Sequence, residues 1–323
     1  MEQNTFDQLI QQVETDKTIP EDQKSIILTN IAKLKETKVN IMIVGATGCG
    51  KSSTINALFN AEKAKVGQSP DPETMTISKY ELNNIVVYDS PGLGDGKEAD
   101  IRHAKGITEL LLKKDSSNNL LIDLVLVILD GGSRDLGTSF ELINNVIMPT
   151  LNKDKSRLLV AINQADMAMK GRHWNFEENQ PEAPLVRFLD EKVASTKKRI
   201  LESTGVDVDV IYYAAGYKEG DTWARPYNLS KLFAFILRHT KKEKRSAFIN
   251  DVNTNKEIWE DDDRLGDYRR EIKQSLWDSI KDSASKGADI GGSIGKIFGM
   301  ETIGRAAGTF VGAITGFIGG LFG

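Results

Sequence analysis

The residues best suited to chemistry lie in a glycine-rich segment, Gly45-Ala-Thr-Gly-Cys-Gly-Lys51-Ser52. This segment follows an apolar run typical of a buried strand, 39–44, and precedes a run with helical character, 53–60. Glycines in this context let backbone N–H groups turn inward around a phosphate, and the helix N-terminus adds its positive dipole end. Lys51 is placed to contact the outer phosphates, and the Ser52 hydroxyl to ligate Mg²⁺. The segment therefore predicts a site for a nucleoside triphosphate with its metal ion.

A second polar segment, Asp89-Ser-Pro-Gly92, follows the apolar run 85–88. Open α/β sheets contact their ligands at such carboxyl ends of strands. Asp89 can hold Mg²⁺ through water, and Gly92, which lacks a side chain, lets its backbone N–H approach the terminal phosphate. The following LGDG segment is loose enough to reorganise when that phosphate leaves, which predicts a conformational switch. The alternative is that DSPG is only a type I turn.

The stretch 69–76 lies between these two segments and lacks clear periodicity. It offers two threonines, one of which we expect to complete the Mg²⁺ shell. Thr74 is favoured because Thr76 directly precedes the next predicted strand, but the sequence does not separate them. The alternative is that both are ordinary loop residues.

Selection of the base is predicted by Asn163-Gln-Ala-Asp166, which follows the apolar run 157–162. The Asp166 carboxylate can accept from both N1–H and N2–H of guanine, whereas adenine offers neither donor in that arrangement. Asp166 therefore predicts GTP rather than ATP. A later run ends in Tyr-Tyr-Ala214-Ala215-Gly, whose backbone N–H groups can meet the guanine carbonyl; packing of a strand end is the alternative.

The positions of these segments require alternating strands and helices. This alternation predicts an α/β fold with a mostly parallel six-stranded sheet flanked by helices. The Asn83-Asn84 turn predicts that the second strand is antiparallel, in a hairpin with the third. The predicted strands are 39–44, 77–82, 85–88, 123–129, 157–162 and 208–213, and the predicted helices among them are 51–60, 99–114, 136–149, 185–203 and 228–240.

The two ends of the chain have a different pattern of apolar residues from the central part, 38–240. Apolar residues at helical spacing predict two helices within 1–37, the second of which opens at Pro20. Residues 241–323 are predicted to form a C-terminal helical region, with Ile272, Leu276 and Ile280 on one helix face.

The segment 287–323 is rich in glycine and apolar residues, and glycines recur at every fourth position from Gly304 to Gly320. On a helix this makes one flat stripe that permits the close approach of another helix. Because each helical glycine costs about 1 kcal/mol in water, the stripe predicts either a tight helix pair or reversible contact with a bilayer. The alternative is a soluble helical hairpin packed on the N-terminal helices.

Composition adds broad limits. The 42 basic and 46 acidic residues give a net charge of -4, so no global field favours nucleic acid, and we expect no specific nucleic-acid binding. A single cysteine, Cys49, and a polar chain start without a signal-like apolar region predict an intracellular protein. We expect a cytoplasmic location, with the inner face of the membrane as a peripheral site if 287–323 contacts lipid.

Taken together, GATGCGKS, a loop threonine, DSPG, NQAD and YAAG resemble the GTP-binding fingerprint of translation-factor-type GTPases, with Era-like proteins nearest. The longer strings GATGCGKSSTINALF, DSPGLGDGKEAD and AINQADMAMKGRHW look like the bacterial YfjP/YeeP/YkfA group. This resemblance implies that residues 38–240 form a P-loop G domain that hydrolyses GTP to GDP and phosphate with Mg²⁺ and acts as a molecular switch.

The resemblance also implies roles for individual residues. Catalysis would involve Lys51, Thr74 and Gly92, and the metal ligands would be Ser52, Thr74 and Asp89. The nucleotide contacts would be Gly45, Ala46, Thr47, Gly48, Cys49, Gly50, Lys51, Ser52, Ser53, Asp89, Gly92, Asn163, Gln164, Asp166, Ala214 and Ala215.

Three residues depart from the pattern of these families. Gln164 replaces the usual lysine beside the guanine ring, and Gly48 replaces the asparagine of potassium-activated relatives. Leu93 replaces the glutamine that positions water in many relatives, and a leucine cannot orient or deprotonate water. We therefore expect slow turnover unless a partner supplies the missing group.

The form of the phosphate loop is also similar to that of immunity-related and septin-like GTPases, many of which pair two nucleotide domains. This predicts a homodimer through the G domain. Candidates for a supplied catalytic group are Arg102, His103, Arg134 and His173, although a solvated surface position is the favoured interpretation of each. Two other functions stay open: a dynamin-like or immunity-related membrane-associated GTPase, and a GTP-binding scaffold with little hydrolysis.

Overall fold

The computed structural model describes residues 5–15, 17, 20–59, 65–68, 77–92, 96–152, 154–219 and 222–286. Its centre is a seven-stranded sheet in the order β2-β3-β4-β1-β5-β6-β9. The strands are β1 (Val39–Gly45), β2 (Lys65–Gln68), β3 (Ser78–Glu81), β4 (Ile85–Asp89), β5 (Leu124–Asp130), β6 (Leu158–Asn163), β7 (Trp174–Asn175), β8 (Gln180–Pro181), β9 (Val210–Tyr212), β10 (Tyr217–Glu219) and β11 (Thr222–Ala224).

The α-helices are α1 (Thr5–Thr15), α2 (Glu21–Glu36), α3 (Lys51–Leu58), α4 (Lys97–Leu112), α5 (Gly137–Leu142), α6 (Met148–Thr150), α7 (Ala183–Thr204), α8 (Leu229–His239) and α9 (Tyr268–Lys286). A π-helical segment, Ile143–Ile147, joins α5 to α6, so the helix predicted over 136–149 is present but not regular. Short 3-10 segments lie at Lys155–Arg157, Ala165–Gly171, Lys242–Asn250 and Lys256–Trp259.

The predicted α/β fold is confirmed, with parallel pairing from β4 through β1, β5 and β6 to β9. The hairpin predicted at Asn83-Asn84 is also present, since β3 runs antiparallel to β4. The prediction did not include β2, which pairs antiparallel with β3 at the edge of the sheet. Its sequence, KVGQ, is short and polar, as edge strands often are, and so lacks the apolar signal of a buried strand.

Alternation along β1 divides the core between the two faces of the sheet. Ile41 and Ile43 pack with α8 and with residues from both chain ends, whereas Met42 and Val44 pack on the face covered by α4, α5 and α7. Because both faces are covered, the central strands are apolar throughout and keep a fixed register.

The helices at the two chain ends share one core with the sheet. On α9, Ile272, Leu276 and Ile280 are fully buried, as their predicted common face requires, and they lie in the same cluster as Phe6 of α1 and Ile31 of α2. The N-terminal and C-terminal helices therefore cover the same face of the sheet.

A buried carboxylate ties the β3–β4 turn to the C-terminal region. Asp251 accepts hydrogen bonds from the backbone N–H groups of Asn83, Asn84 and Ile85 at 3.0, 2.6 and 2.7 Å and from the Asn83 side chain at 2.8 Å. The Asn84 side chain in turn donates to the carbonyls of Lys35 and Thr37, both at 2.8 Å, at the end of α2. The closed end of the hairpin is thus held by both chain ends.

The glycine stripe from Gly304 to Gly320, and all of 287–323, lie outside the described residues. Among the helices of the described ranges, none combines the length and apolar character needed to cross a membrane.

Candidate nucleotide-binding site

The parallel register aligns the carboxyl ends of four strands along one edge of the sheet. Gly45 at the end of β1 lies opposite Ile128 of β5, and Asp89 at the end of β4 lies opposite Ile43 of β1. Asp130 of β5 lies opposite Asn163 of β6. The three polar segments predicted from the sequence therefore meet at the same edge, where open α/β sheets bind ligands.

The phosphate loop connects β1 to α3 and folds around the Lys51 ammonium group. Lys51 Nζ donates to the carbonyl oxygens of Gly45 and Ala46, both at 3.2 Å. Gly48 and Gly50 have backbone φ angles of 80° and 87°, which residues other than glycine rarely adopt. The ammonium group is therefore held at the concave side of a loop whose backbone is bent by glycines.

Gly50 is also required by its surroundings, because a Cβ at this position would overlap the side-chain nitrogen of Asn163. A Cβ on Gly45 would approach Cys49 Sγ at 2.7 Å. Both glycines therefore allow the close approach of the loop to its neighbours, beyond any contact with a phosphate.

Cys49 is fully buried within the loop, and burial raises the pKa of its thiol to about 11. The thiol is therefore protonated at neutral pH and does not have the thiolate character of a reactive cysteine. The buried, protonated thiol is suited to packing and not to redox chemistry.

Asp89 has the environment expected of a metal ligand. Within the described part of the chain, its Oδ1 atom is buried and has no hydrogen-bond partner. Burial raises the pKa of this carboxyl to about 6, and the nearby Lys51 charge acts in the opposite direction. A buried carboxylate oxygen that lacks a partner is costly, and a cation would compensate it. The residue set fits Mg²⁺, which binds through one or two carboxylates together with substrate phosphates. Ser52, the other predicted ligand in this part of the chain, is exposed at the start of α3.

Gly92 lies directly on the phosphate loop. A Cβ at this position would stand 2.6 Å from both the backbone N and the Cα of Thr47 and would overlap the Thr47 hydroxyl. The backbone of the DSPG segment therefore packs against the phosphate loop without an intervening side chain.

Asn163 joins the phosphate loop to the strand end that follows β9. Its side-chain nitrogen donates to the Cys49 carbonyl, and its side-chain oxygen accepts from the Ala215 N–H, both at 2.9 Å. Asn163 therefore fixes the position of the segment after β9 relative to the phosphate loop, and this bridging was not predicted.

Gln164, which stands where related GTPases carry a lysine, contacts the phosphate loop. Its side-chain nitrogen donates to the Gly48 carbonyl at 2.9 Å, and its backbone has a positive φ of 58°. The shorter, neutral glutamine lacks the long aliphatic stem of the lysine found in related GTPases and instead makes a hydrogen bond to the phosphate loop.

Asp166 is partly buried at the start of the 3-10 segment after β6. Burial raises the pKa of its carboxyl, and the backbone amides of Asp166 and Met167 oppose that shift. A desolvated carboxylate in this position can gain strongly from paired N–H donors of a ligand.

The amides of Ala214 and Ala215 differ from the prediction, because both are engaged within the protein. The Ala214 N–H donates to the Tyr227 carbonyl at 2.9 Å, and the Ala215 N–H donates to Asn163. Contact of these amides with the guanine carbonyl would require the bonds to open. This pairing was not predictable from the sequence, because Tyr227 follows the β10–β11 hairpin, whose path is set by tertiary packing.

A buried hydroxyl pair connects α3 to the base-reading side of the sheet. Thr54 and Tyr213 share a hydrogen bond at 2.7 Å, and the Thr54 hydroxyl also donates to the Gly50 carbonyl at 2.8 Å. Tyr213 begins the YAAG segment and Thr54 lies in the string GATGCGKSSTINALF, but neither string indicates that the two hydroxyls meet, so sequence reasoning missed this link.

The comparisons with known proteins agree with this geometry. Residues 40–164 match the protein family described as 50S ribosome-binding GTPase. The match covers the phosphate loop, Asp89 and the start of the base-reading segment, and it ends at Gln164.

Two curated relatives of the GTPase domain illustrate the similarity. The protein named Probable GTP-binding protein EngB, from Thermotoga petrophila, is 27% identical over 146 residues, which cover 45% of this chain and 71% of that protein. Uncharacterized protein YfjP of Escherichia coli is 30% identical over 146 residues, which cover 44% of this chain and 47% of that protein. The chain thus spans about half the length of YfjP. Among solved structures, Toc33 from Arabidopsis thaliana is a distant likeness, with 18% identity and a TM-score of 0.41 over 66% of this chain and 83% of that chain.

Some predicted residues of the GTPase domain lie outside the described ranges, namely Thr74, Thr76 and Leu93. Of the candidates for a supplied catalytic group, Arg102 is exposed on α4 and His173 pairs with Glu182 at 2.9 Å. His103 has a buried Nδ1 atom without a partner among the described residues, and Arg134 lines a separate cavity described below.

The raised pKa of Asp89 predicts a pH dependence of metal affinity in the GTPase domain. Because Mg²⁺ binds the carboxylate and not the acid, we expect its apparent affinity to fall as the pH drops through 6, by about tenfold per pH unit below that value. Titration of Mg²⁺ against nucleotide binding at several pH values measures this.

Acid unfolding at this group cannot account for the fall in Mg²⁺ affinity at low pH. For a carboxyl with a raised pKa in the folded state, the contribution to stability is present at low pH and is lost as the pH rises through 6. At this group the metal-free protein therefore becomes more stable while Mg²⁺ affinity falls. A Mg²⁺ affinity that stays constant between about pH 7 and pH 5 contradicts the assignment of Asp89.

The close approach of Gly92 to Thr47 predicts a large effect of Gly92→Ala. The new methyl group meets backbone atoms that cannot turn aside, so we expect the free energy of unfolding to fall by about 1–3 kcal/mol and GTP turnover to fall with it. Urea unfolding and phosphate release measure the two effects. Gly132→Ala is the matched control. The atom nearest to its new Cβ is the Asp130 carboxylate oxygen at 3.3 Å, which belongs to a side chain and can shift. Equal losses in the two variants would show that the contact with Thr47 has no special role.

Proposed function

We propose that this chain binds GTP and hydrolyses it to GDP and phosphate with Mg²⁺ as a molecular switch. The observation that carries the proposal is the buried Asp89 Oδ1 atom, which has no hydrogen-bond partner among the described residues. It lies beside Lys51, at the strand edge that also bears Asn163 and Asp166. This arrangement offers a place for a cation at Asp89, for phosphates at Lys51 and for a base at Asp166, in the order that a nucleoside triphosphate requires.

Each residue has a distinct part in the proposed reaction. The Lys51 ammonium group would exchange its bonds with two loop carbonyls for bonds with phosphate oxygens, and so stabilise the charge that develops on them. Ser52 and Asp89, with Thr74, would hold the Mg²⁺, which supplies further charge neutralisation when bound. The Gly92 N–H would bind the terminal phosphate, and Asp166 would bind guanine while Asn163 holds its segment against the loop.

The direct test is release of phosphate from GTP in a single turnover, with Mg²⁺ and with excess EDTA. We expect release with Mg²⁺ and its loss when the metal is removed, because one face of the triphosphate is then unshielded. ATP serves as the control nucleotide. Tight GTP binding without phosphate release would favour the scaffold function instead.

We further propose that hydrolysis is slow in the isolated chain and is accelerated by pairing of two GTPase domains. The motivation is Leu93, which has no side-chain group to position water. Specific activity should then rise with protein concentration. A specific activity independent of concentration would count against the homodimer.

The membrane-associated alternative is motivated by the glycine stripe from Gly304 to Gly320. Cosedimentation with liposomes, with and without 287–323, tests it, and equal pelleting would remove this alternative. We also propose that residues 1–37 and 241–323 act as a helical attachment to the GTPase domain 38–240, in a protein of the YfjP/YeeP/YkfA group. The finer Era-like relationship rests only on the five ordered motifs of the sequence.

A further inference from the structure

A second cavity lies beside the GTPase site and does not include its residues. It has a volume of about 640 Å³ and is walled by the loop after β5, by the end of the 3-10 segment 165–171 and by α7. Neither the phosphate loop nor Asn163 and Asp166 line it. Its size is within the range of about 300–1,000 Å³ that is usual for sites of small molecules.

The charge of this cavity is strongly one-sided. Its walls carry five basic side chains against one acidic one, Glu191; the basic residues are Arg134, Lys170, Arg172, Lys192 and Arg199. In the described part of the chain, none of the five forms an ion pair with a carboxylate. Like charges gathered on low-dielectric walls repel one another and focus a positive potential into the cavity. A bound polyanion would relieve that repulsion.

Three of the basic groups are held in place by the protein. Lys192 Nζ donates to the carbonyls of Gly131 and Ser133, both at 2.7 Å, and the Arg199 guanidinium lies 4.2 Å from the centre of the Phe140 ring. Arg172 Nε donates to the Met169 carbonyl at 3.2 Å. Arg172 bonds through Nε and Arg199 through the flat face of its guanidinium group. Among the described residues, the terminal N–H groups of both therefore stay available to a ligand.

From this geometry we infer that the cavity binds a small molecule bearing two or more adjacent phosphate groups. Guanidinium groups match phosphate oxygens in bidentate pairs, and fixed groups lose little entropy when they bind. Arg134 from the loop after β5 and Lys170 from the 3-10 segment complete the site. This inference does not rest on the hydrolysis of GTP, because the residues involved are separate from those of the nucleotide site.

The test uses the full chain with GDP in excess, so that the phosphate loop is occupied. Titration with inorganic pyrophosphate should show saturable binding. The double variant Arg134→Ala/Lys170→Ala should weaken it by at least about tenfold, since each lost charged hydrogen bond contributes about 1.5 kcal/mol or more. Lys198→Ala is the matched control on α7, because this lysine is exposed and pairs only loosely with Glu202 at 3.8 Å.

Two further arms decide the source of the signal. Lys51→Ala should leave pyrophosphate binding unchanged, so a loss in this variant but not in the double variant would assign the binding to the phosphate loop and overturn the inference. Phosphatidylcholine vesicles with and without a phosphoinositide show whether the phosphates belong to a lipid headgroup or to a free molecule. The inference is overturned if neither pyrophosphate nor the phosphoinositide vesicles bind. It is also overturned if their binding is the same in the original chain, in the double variant and in Lys170→Glu. Melting temperatures of all variants check that they fold.

Discussion

Replacement of Lys51 by alanine is expected to lower GTP turnover by about 10²–10³-fold, which is the usual effect of removing one preorganised donor to developing charge. The ammonium group lies 3.2 Å from two loop carbonyls, so it is already positioned for phosphate oxygens before they arrive. Single-turnover phosphate release measures the loss, and equilibrium binding of GDP shows how much of it is lost affinity.

The fold should tolerate this change, because Lys51 is the first residue of α3, at the sheet edge, and its side chain is only partly buried. Lys198→Ala provides the control for removal of a positive charge at an exposed position. If Lys51→Ala retained turnover within about twofold of the original chain, the loop would not be the site of phosphate chemistry.

Asp166→Asn is expected to weaken GTP binding by at least about a hundredfold, since guanine N–H donors would face an amide that cannot accept from both. Discrimination against ATP should relax in the same variant. Xanthosine triphosphate, which presents a carbonyl where guanine has its amino group, should compete better than before because the new amide can donate to it. Competition against a fluorescent GDP measures all three nucleotides.

The control for Asp166→Asn is Asp207→Asn, an exposed carboxylate that lies 3.8 Å from Lys197. It removes the same charge far from any motif, so nucleotide preference should not change. An unchanged preference for GTP in Asp166→Asn itself would refute the assignment of Asp166 as the base reader.

Much of the nucleotide-binding edge was predictable because the signals there are local. The apolar runs predicted the central strands, and the glycines, Lys51 and Asp89 are placed by the strands that precede them. The antiparallel hairpin at Asn83-Asn84 was predictable for the same reason, since its turn and its two strands are contiguous in sequence.

The contacts that join distant segments were not predictable in this way. The bond from Asn163 to the Cys49 carbonyl spans 114 residues, and that between Thr54 and Tyr213 spans 159. No periodicity reports such pairs, because tertiary packing sets them. The engagement of Ala214 and Ala215 and the charged cavity between three separate elements depend on the same kind of long-range packing.

The Asp251 attachment connects the β3–β4 hairpin to both chain ends. One carboxylate accepts four N–H donors at the turn, and β4 places Asp89 about 13–17 Å from that turn at about 3.3 Å per residue. Both α2 and the segment after α8 are fastened to the same turn. We therefore expect a mechanical load applied at Asp89 to be shared between the two chain ends.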